Sequence, residues 1–179
     1  MNFKRSSTFA AFVCALLASS THATMVKRMA LDELVQAAQL IFRGTVVNVA
    51  KDSITTSGHK IPTITYEIRV SERFKGDFPA ASGGDVIVSI RSVNLKAIEL
   101  PRLADGEEYL LMTTKPSSAG LSTVVGLGQG VFRVYGSPNA ELAVNALDNR
   151  GLAAGMGGPA RYDDLTNRIR SALRKGGQK

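Results

Sequence analysis

Hydrophobic and polar residues alternate most regularly between residues 63 and 76. Ile64, Tyr66, Ile68 and Val70 share one parity, whereas the residues between them are threonine, glutamate and arginine. Successive side chains of a β-strand point to opposite faces of the sheet. This segment is therefore predicted as a strand with one apolar face and one solvated face.

Other β-branched runs predict the remaining strands. They occupy residues 40–49, 86–91, 108–113, 121–125 and 131–135, and the last two could be one continuous strand. Gly44 indicates a bulge or sharp coil in the first strand, and Phe132 and Val134 are expected to face inwards. Polar or turn-rich connections lie between the strands, with residues 51–62 predicted as a hairpin loop and residues 92–102 as a short helical or irregular crossover. The pattern predicts a mostly β protein: a small OB-like barrel, closed or partly open, of five to six antiparallel strands.

A helical spacing of apolar residues occurs at both ends of this region. Residues 29–39 carry Leu31, Leu34, Val35 and Ala38, and residues 161–175 carry a stripe that runs from Tyr162 to Leu173. The second stripe could pack on the barrel or bind a partner, and packing is the expectation. The domain prediction is a barrel with its leading helix at 24–135, a Gly/Pro-rich and partly disordered loop segment at 136–160, and an amphipathic helix at 161–175.

The first 23 residues have the pattern of a signal peptide. Lys4 and Arg5 precede an apolar run over residues 9–18, and Thr21-His22-Ala23 fits a signal-peptidase site. The alternative is a membrane anchor, but the run has about half of the ~20 residues needed to span a bilayer. The mature chain is therefore expected to begin at Thr24, to lack a transmembrane anchor and to reside in the periplasm or outside a bacterial cell.

Cysteine content and charge narrow the class further. Cys14 is the only cysteine and lies in the predicted leader, so the mature chain is expected to have no disulfide, which favours a bacterial exported protein. Without residues 1–23, 20 basic and 15 acidic residues remain, a net charge of +5. The basic residues near the C-terminus could attract an anionic polymer or lipid head groups, but a solvated helix face is the preferred interpretation.

The residues that carry chemistry are sparse. His59 is the only histidine after residue 23, and zinc sites use three or four protein ligands. Residues 126–130 form a glycine-rich loop, but it joins two predicted strands and no Lys-Ser/Thr pair follows, so the glycines are expected to serve a barrel corner rather than a phosphate. No nucleophile can be paired with a base, and no carboxylate pair can be assigned. We therefore expect no enzymatic activity, no cofactor and no metal, and we assign no catalytic, cofactor-binding or metal-binding residue.

Four sequence blocks carry a resemblance to known proteins: residues 38–46, residues 66–76, residues 106–111 and residues 124–134. They resemble a set of uncharacterised exported bacterial proteins. Their order is also similar to that of the netrin-like domain, the OB-type barrel of the tissue inhibitors of metalloproteinases. The inhibitors begin with a cysteine that chelates the zinc of the protease, whereas the predicted mature start here is Thr24. The resemblance therefore implies the fold, and no inhibitory residue is carried over.

These observations favour an exported non-enzymatic module that binds another exported protein, a protease being one candidate. Loops such as residues 51–62 would supply contacts, and the partner-binding residues are not assigned. The alternative is a binder of an anionic polymer or small ligand, because OB barrels commonly bind oligonucleotides or oligosaccharides. The outward positions of the strand at residues 63–76 lack the stacking aromatic residues that such binding uses. An enzyme and a purely structural protein are the remaining hypotheses.

Overall fold

The computed structural model describes residues 27–56, 58–94 and 101–177. The predicted signal peptide at 1–23, with Cys14, lies outside the described residues, as do the predicted mature start at Thr24 and residues 95–100 of the predicted crossover. In the part of the chain that is described, no helix combines the length and apolar character needed to cross a bilayer.

The described residues form seven strands and two α-helices, which confirms a mostly β protein. In chain order these elements are α1 (Leu31–Ala37), β1 (Leu40–Thr56), β2 (His59–Lys75), β3 (Ile87–Val93), β4 (Glu108–Thr113), β5 (Val131–Tyr135), β6 (Leu142–Asn145), β7 (Ala160–Arg161) and α2 (Tyr162–Gly176). A short 3-10 segment, Val125–Gly128, precedes β5.

All strands pair antiparallel in one sheet with the order β3-β2-β1-β4-β5-β6-β7. The sheet is open and has seven strands among the described residues, so the closed form of the predicted barrel, with five to six strands, is wrong. Two features account for the difference. The segment predicted as a loop, residues 136–160, contains β6 and the first residue of β7, which extend the sheet beyond β5. Residues 121–125 form no strand and make only a single bridge, between Thr113 and Val124.

The segment around that bridge nevertheless lies between β3 and β4. On one side, the Thr114 N–H donates to the Thr123 carbonyl over 2.8 Å. On the other side, the Ser122 N–H donates to the Arg91 carbonyl over 2.8 Å, and the Ser92 hydroxyl donates to the Ser122 carbonyl over 2.7 Å. A few hydrogen bonds thus link the edge strand β3 to the far end of β4.

Apolar cores form on both faces of the sheet. One core packs α1 and α2 against residues such as Leu110 and Phe132, and the other gathers residues such as Phe42, Ile68 and Leu111. Neighbouring residues of β4 therefore enter different cores, as alternation along a strand requires. The β1–β2 register shifts between Arg43 and Gly44, which confirms the predicted irregularity of the first strand at Gly44. A Cβ atom at Gly44 would lie 2.5 Å from the Arg69 carbonyl oxygen, so only glycine fits there.

Both predicted helices are confirmed, and the apolar stripe of α2 packs within the chain. Tyr162, Leu165, Ile169 and Ala172 are buried in the helix-side core. The last turn of α1 has no basic residue of its own. Lys75 of β2 supplies the cation there, and its Nζ donates to the carbonyls of Val35 and Gln36 over 2.8 and 3.2 Å. A cation at the C-terminus of a helix complements the unpaired carbonyls there. The Lys75-Gly76 pair of the second sequence block thus has a structural role.

The predicted hairpin loop at residues 51–62 is instead part of two strands. Pairing of β1 with β2 continues to Thr56 and His59, and Gly58, with φ +77°, lies in the turn. We call residues 47–56 and 59–62 the arm. The prediction failed because most side chains of the arm are exposed or partly exposed on both faces, so its sequence has no apolar parity to detect.

Candidate functional site

The glycine-rich loop, residues 126–130, has a backbone conformation that is rare for its leucine. Gly126 (φ +68°, ψ 29°) and Leu127 (φ 52°, ψ 39°) both adopt left-handed helical angles. Glycine does so freely, but the left-handed conformation costs an ordinary residue about 1–2 kcal/mol. Gly128, with φ +111°, then brings the backbone against Pro101, where a Cβ atom would lie 2.6 Å from the proline Cγ.

Gln129 holds this loop in place. Its side chain is 2% exposed, and its Oε1 accepts a hydrogen bond from the Met29 N–H over 2.8 Å. Its Nε2 donates to the carbonyls of Lys27 and Gly126, each over 3.0 Å. The Gln129 carbonyl accepts from the Asn145 side chain over 2.9 Å. One buried amide therefore fixes the loop to the segment that precedes α1, and a network of this kind is rigid when all of its members are bonded.

The side chain that this loop presents is apolar and exposed. Leu127 is 54% exposed, and Tyr135, at 38%, is the other large hydrophobic residue exposed within the described chain. Packing inside the molecule does not require a leucine at such a position. Backbone strain that is maintained by its surroundings is often found at functional sites. We therefore take Leu127 and the loop that carries it as the candidate functional site.

Replacement of Leu127 by asparagine should stabilise the protein. Asparagine tolerates left-handed angles better than leucine does, so the free energy of unfolding is expected to rise by roughly 0.5–1 kcal/mol. Leu127→Ala keeps the strain and serves as the control, with no gain expected. Urea denaturation of the three proteins measures the difference. A Leu127→Asn variant no more stable than Leu127→Ala would show that the loop is not strained.

The surroundings of the loop are basic. Lys27 and Arg28 lie in the segment that Gln129 bonds, Arg102 follows Pro101, and all three are exposed. Lys27 also lies 3.8 Å from Glu33 of α1, and both side chains are well exposed. Exposed pairs of this kind contribute little to stability. The chain segments that contact the loop therefore carry three exposed basic residues, one of which pairs with an acidic residue of α1.

A second polar cluster, centred on Arg43 of β1, fixes α2 to the sheet. The Arg43 side chain is 15% exposed and donates to both oxygens of Glu108 over 2.7 Å and to Glu141 over 2.8 Å. The guanidinium carbon also lies 4.5 Å from the centre of the Tyr162 ring. The Tyr162 hydroxyl donates to Glu72 over 2.7 Å, and Glu72 pairs with Arg170 over 2.6 Å.

The groups of this cluster shift the pKa values of one another. The hydrogen bonds that Arg43 donates to Glu108 and Glu141 raise the pKa of Arg43 further above its ordinary value, and the hydrogen bond that Glu141 accepts from Arg43 lowers the pKa of Glu141. Burial, followed by the hydrogen bond to Glu72, raises the pKa of Tyr162. Arg43, Glu141 and Tyr162 therefore each keep their ordinary ionisation state near neutral pH. The cluster joins four elements of the fold, β1, β2, β4 and α2, and also includes Glu141, which precedes β6.

The residues that the sequence offered as candidates for chemistry lie in different parts of the fold. His59 is exposed at the tip of the arm, where it pairs with Thr56. Gly126 and Gly128 have positive φ, and Gly128 lies against Pro101, but their role at a barrel corner stays a prediction. Among the described residues, no group of three or more histidine, cysteine or carboxylate side chains is arranged to hold a metal. The loop was recognisable in the sequence, but Leu127 was not. A leucine within an apolar segment does not indicate that its backbone is left-handed or that its side chain is exposed.

No protein-family model matches the chain, and no curated protein is similar to it at a significant level.

Proposed function

We propose that the chain is an exported, non-enzymatic module that binds another exported protein through the loop at residues 126–130, with Leu127 as the anchor. The observation that carries the proposal is the exposed side chain of Leu127 in a strained conformation that Gln129 maintains. A partly open OB-like barrel is the architecture that we propose for the module. The hydrogen bonds of residues 122–124 to both β3 and β4 support it.

A protein is the partner class that suits this loop best. A pre-ordered side chain loses little conformational entropy on binding, so more of its burial contributes to affinity. A leucine that moves from water into an apolar pocket contributes about 1.5–3 kcal/mol when fully buried. Two hollows, one beside residues 73–78 and one along α2, are open surface depressions. They offer a small molecule little enclosure, which small-ligand sites usually provide.

The proposal predicts that Leu127→Asp removes one specific partner. Protein comprising residues 24–179 would be immobilised and exposed to periplasmic extract and culture medium of the source organism, with washes at low and high salt. The wild type is expected to retain a single protein at high salt. Leu127→Asp is expected to retain about tenfold less of that protein, or lower amounts still. Tyr135→Ser is the matched control, because it removes the other exposed large hydrophobic side chain.

The pattern of retention decides between the hypotheses. Equal capture by wild type and Leu127→Asp, or no capture of any protein, would contradict the proposal. Retention only at low salt, together with nucleic acid or acidic glycans, would favour the polyanion alternative, because such binding weakens steeply with salt. If the retained protein is a protease, an assay of its activity against added module tests whether the module restrains it.

A further inference from the structure

The arm has one strand edge that no described element covers. β4 pairs with β1 only from Leu40 to Thr45. The last backbone hydrogen bonds on that side join Val46 to Glu107 and Gly106, over 3.0 and 2.9 Å. Beyond Val46, β1 continues for ten further residues to Thr56, paired there only with β2.

Pro62 shows which backbone groups point to this edge. Opposite residues of an antiparallel pair alternate between those that exchange hydrogen bonds and those whose N–H and C=O point outwards. Proline has no N–H, so the pair Ser53↔Pro62 must be of the outward kind. The Pro62 carbonyl indeed accepts from the Asn94 N–H over 2.8 Å, on the side away from β1. Ser53 therefore directs its own N–H and C=O to the open edge.

The same alternation extends along the arm. From Asn48 to Thr56 the β1–β2 register is unbroken. Residues two apart share an orientation, so Val49, Lys51 and Thr55 point their backbone groups outwards together with Ser53. Four consecutive donor and acceptor pairs thus lie along an edge of about 20 Å, at about 3.4 Å per residue. An edge of this kind is a template for one more strand.

Charge indicates what that strand contains. Lys51 lies on the same face as Thr55, and Lys60 is the residue opposite Thr55, so both lysines lie on one face of the arm. Both are exposed. Asp52 and His59 lie on the other face, so the cations of the arm are not neutralised on their own face by a carboxylate of the arm.

We infer that the open edge of β1 from Val49 to Thr55 binds an extended, acidic segment of the partner protein as an added antiparallel strand. The inference rests on the proposed function for the class of partner, but it concerns a separate surface from Leu127. Lys51 directs its backbone N–H and C=O to the open edge. The residue of the added strand that lies opposite Lys51 therefore exchanges backbone hydrogen bonds with it. Acidic side chains at alternate positions of the added strand then lie directly beside Lys51 and on the same face as Lys60, which is one strand further away.

The test uses a synthetic peptide, acetyl-Thr-Glu-Val-Glu-Val-Glu-Thr-amide, and amide hydrogen exchange by NMR on residues 24–179. In the free protein, the amides of Val49, Lys51, Ser53 and Thr55 are expected to exchange fast. Saturating peptide should slow them by roughly tenfold or more, because they enter a hydrogen-bonded ladder. The amides of the alternate residues, already bonded to β2, should change little.

Peptide chemistry provides the matched control. In the predicted register the glutamate amides face the arm, so N-methylation of the three glutamates should abolish binding. N-methylation of the two valines should leave binding unchanged, because their amides face away. Equal affinity of the two methylated peptides would contradict strand addition.

Two protein variants complete the design. Ser53→Pro removes an outward N–H without removing a hydrogen bond to β2, as Pro62 does on the facing strand, and it should abolish peptide binding. Ser53→Ala should bind as the wild type does, and thermal unfolding verifies that both fold. Binding by Ser53→Pro, or slow exchange of the four amides in the free protein, would overturn the inference. Protection that grows with protein concentration alone would make a second copy the occupant and would also contradict it. None of these outcomes depends on Leu127, so this inference and the proposed function can fail separately.

Discussion

Asn149→Ala is expected to lower the free energy of unfolding by about 3–4 kcal/mol. Asn149 is fully buried, and its Nδ2 donates to the carbonyls of Ala143 and Gly158 over 2.8 and 2.9 Å. Its Oδ1 accepts from the Asn145 N–H over 3.0 Å. Alanine would leave these backbone groups without their partner, and each unsatisfied buried group costs about 1–3 kcal/mol. Asn149 also has φ +56°, where alanine is strained.

Asp148→Ala is the matched control for that experiment. Asp148 has the same φ of +56°, but its side chain is 47% exposed, and among the described residues its carboxylate pairs only with Arg150, over 3.4 Å. Its replacement should lower stability by about 1 kcal/mol, the cost of the backbone angle alone. Asn149→Gly should lie between the two variants, since glycine removes the strain but not the loss of hydrogen bonds. Guanidinium denaturation measures all three, and equal losses for Asn149→Ala and Asp148→Ala would show that the buried amide is not important.

Arg43→Met should lower the free energy of unfolding by about 3 kcal/mol at neutral pH. The variant leaves Glu108 and Glu141, whose side chains are 30% and 23% exposed, facing each other without the cation between them. Arg133→Met is the control, because Arg133 makes a similar contact with Glu107 over 2.7 Å but is 55% exposed. An exposed pair contributes at most about 1 kcal/mol.

The loss in Arg43→Met should depend on pH in a defined direction. Arg43 lowers the pKa of Glu141 below its ordinary value of 4.5, so the folded state favours the ionised carboxylate. The resulting stability is fully present above that ordinary value and is lost as the pH falls through the lowered pKa. Wild type and Arg43→Met should therefore converge in stability on acidification below about pH 4.5. Adding Glu108→Gln and Glu141→Gln to Arg43→Met should recover part of the loss at neutral pH. A difference independent of pH and not recovered would assign the effect to packing of the arginine stem on Tyr162.

The elements with a regular apolar period were predictable from the sequence. β4, β5 and α2 lie within one residue of their predicted positions, because each has a buried face that imposes a period. The strands of the arm beyond residue 50 were missed because they are paired but mostly unburied. The interval at residues 136–160 was missed because its order comes from polar residues. The buried residues Asn145 and Asn149 organise the turns of this interval by hydrogen bonds. Asparagine in a glycine-rich segment is typical of a loop, so the sequence did not indicate this order.

The candidate site was predictable only in part. The glycines at 126–130 indicated that the backbone there lies close to another residue, and Gly128 does lie against Pro101. The partner of Gln129 could not be found, because Met29 is 100 residues away in the chain and a single sequence records no such distance. The Arg43 cluster was hidden for the same reason, since Glu72, Glu108, Glu141 and Arg170 come from separate elements.

The packing of α1 against α2 determines when the fold can be completed. α1 begins at Leu31 and α2 ends at Gly176, yet Leu34 and Ile169 belong to one apolar core. Contacts between residues so far apart close late, because the entropy lost in joining them precedes any gain. A ribosome makes the chain from its N-terminus, so the core that α1 shares with α2 cannot form before α2 has been synthesised. Until then, the apolar residues of α1 lack the helix that covers them in the folded protein.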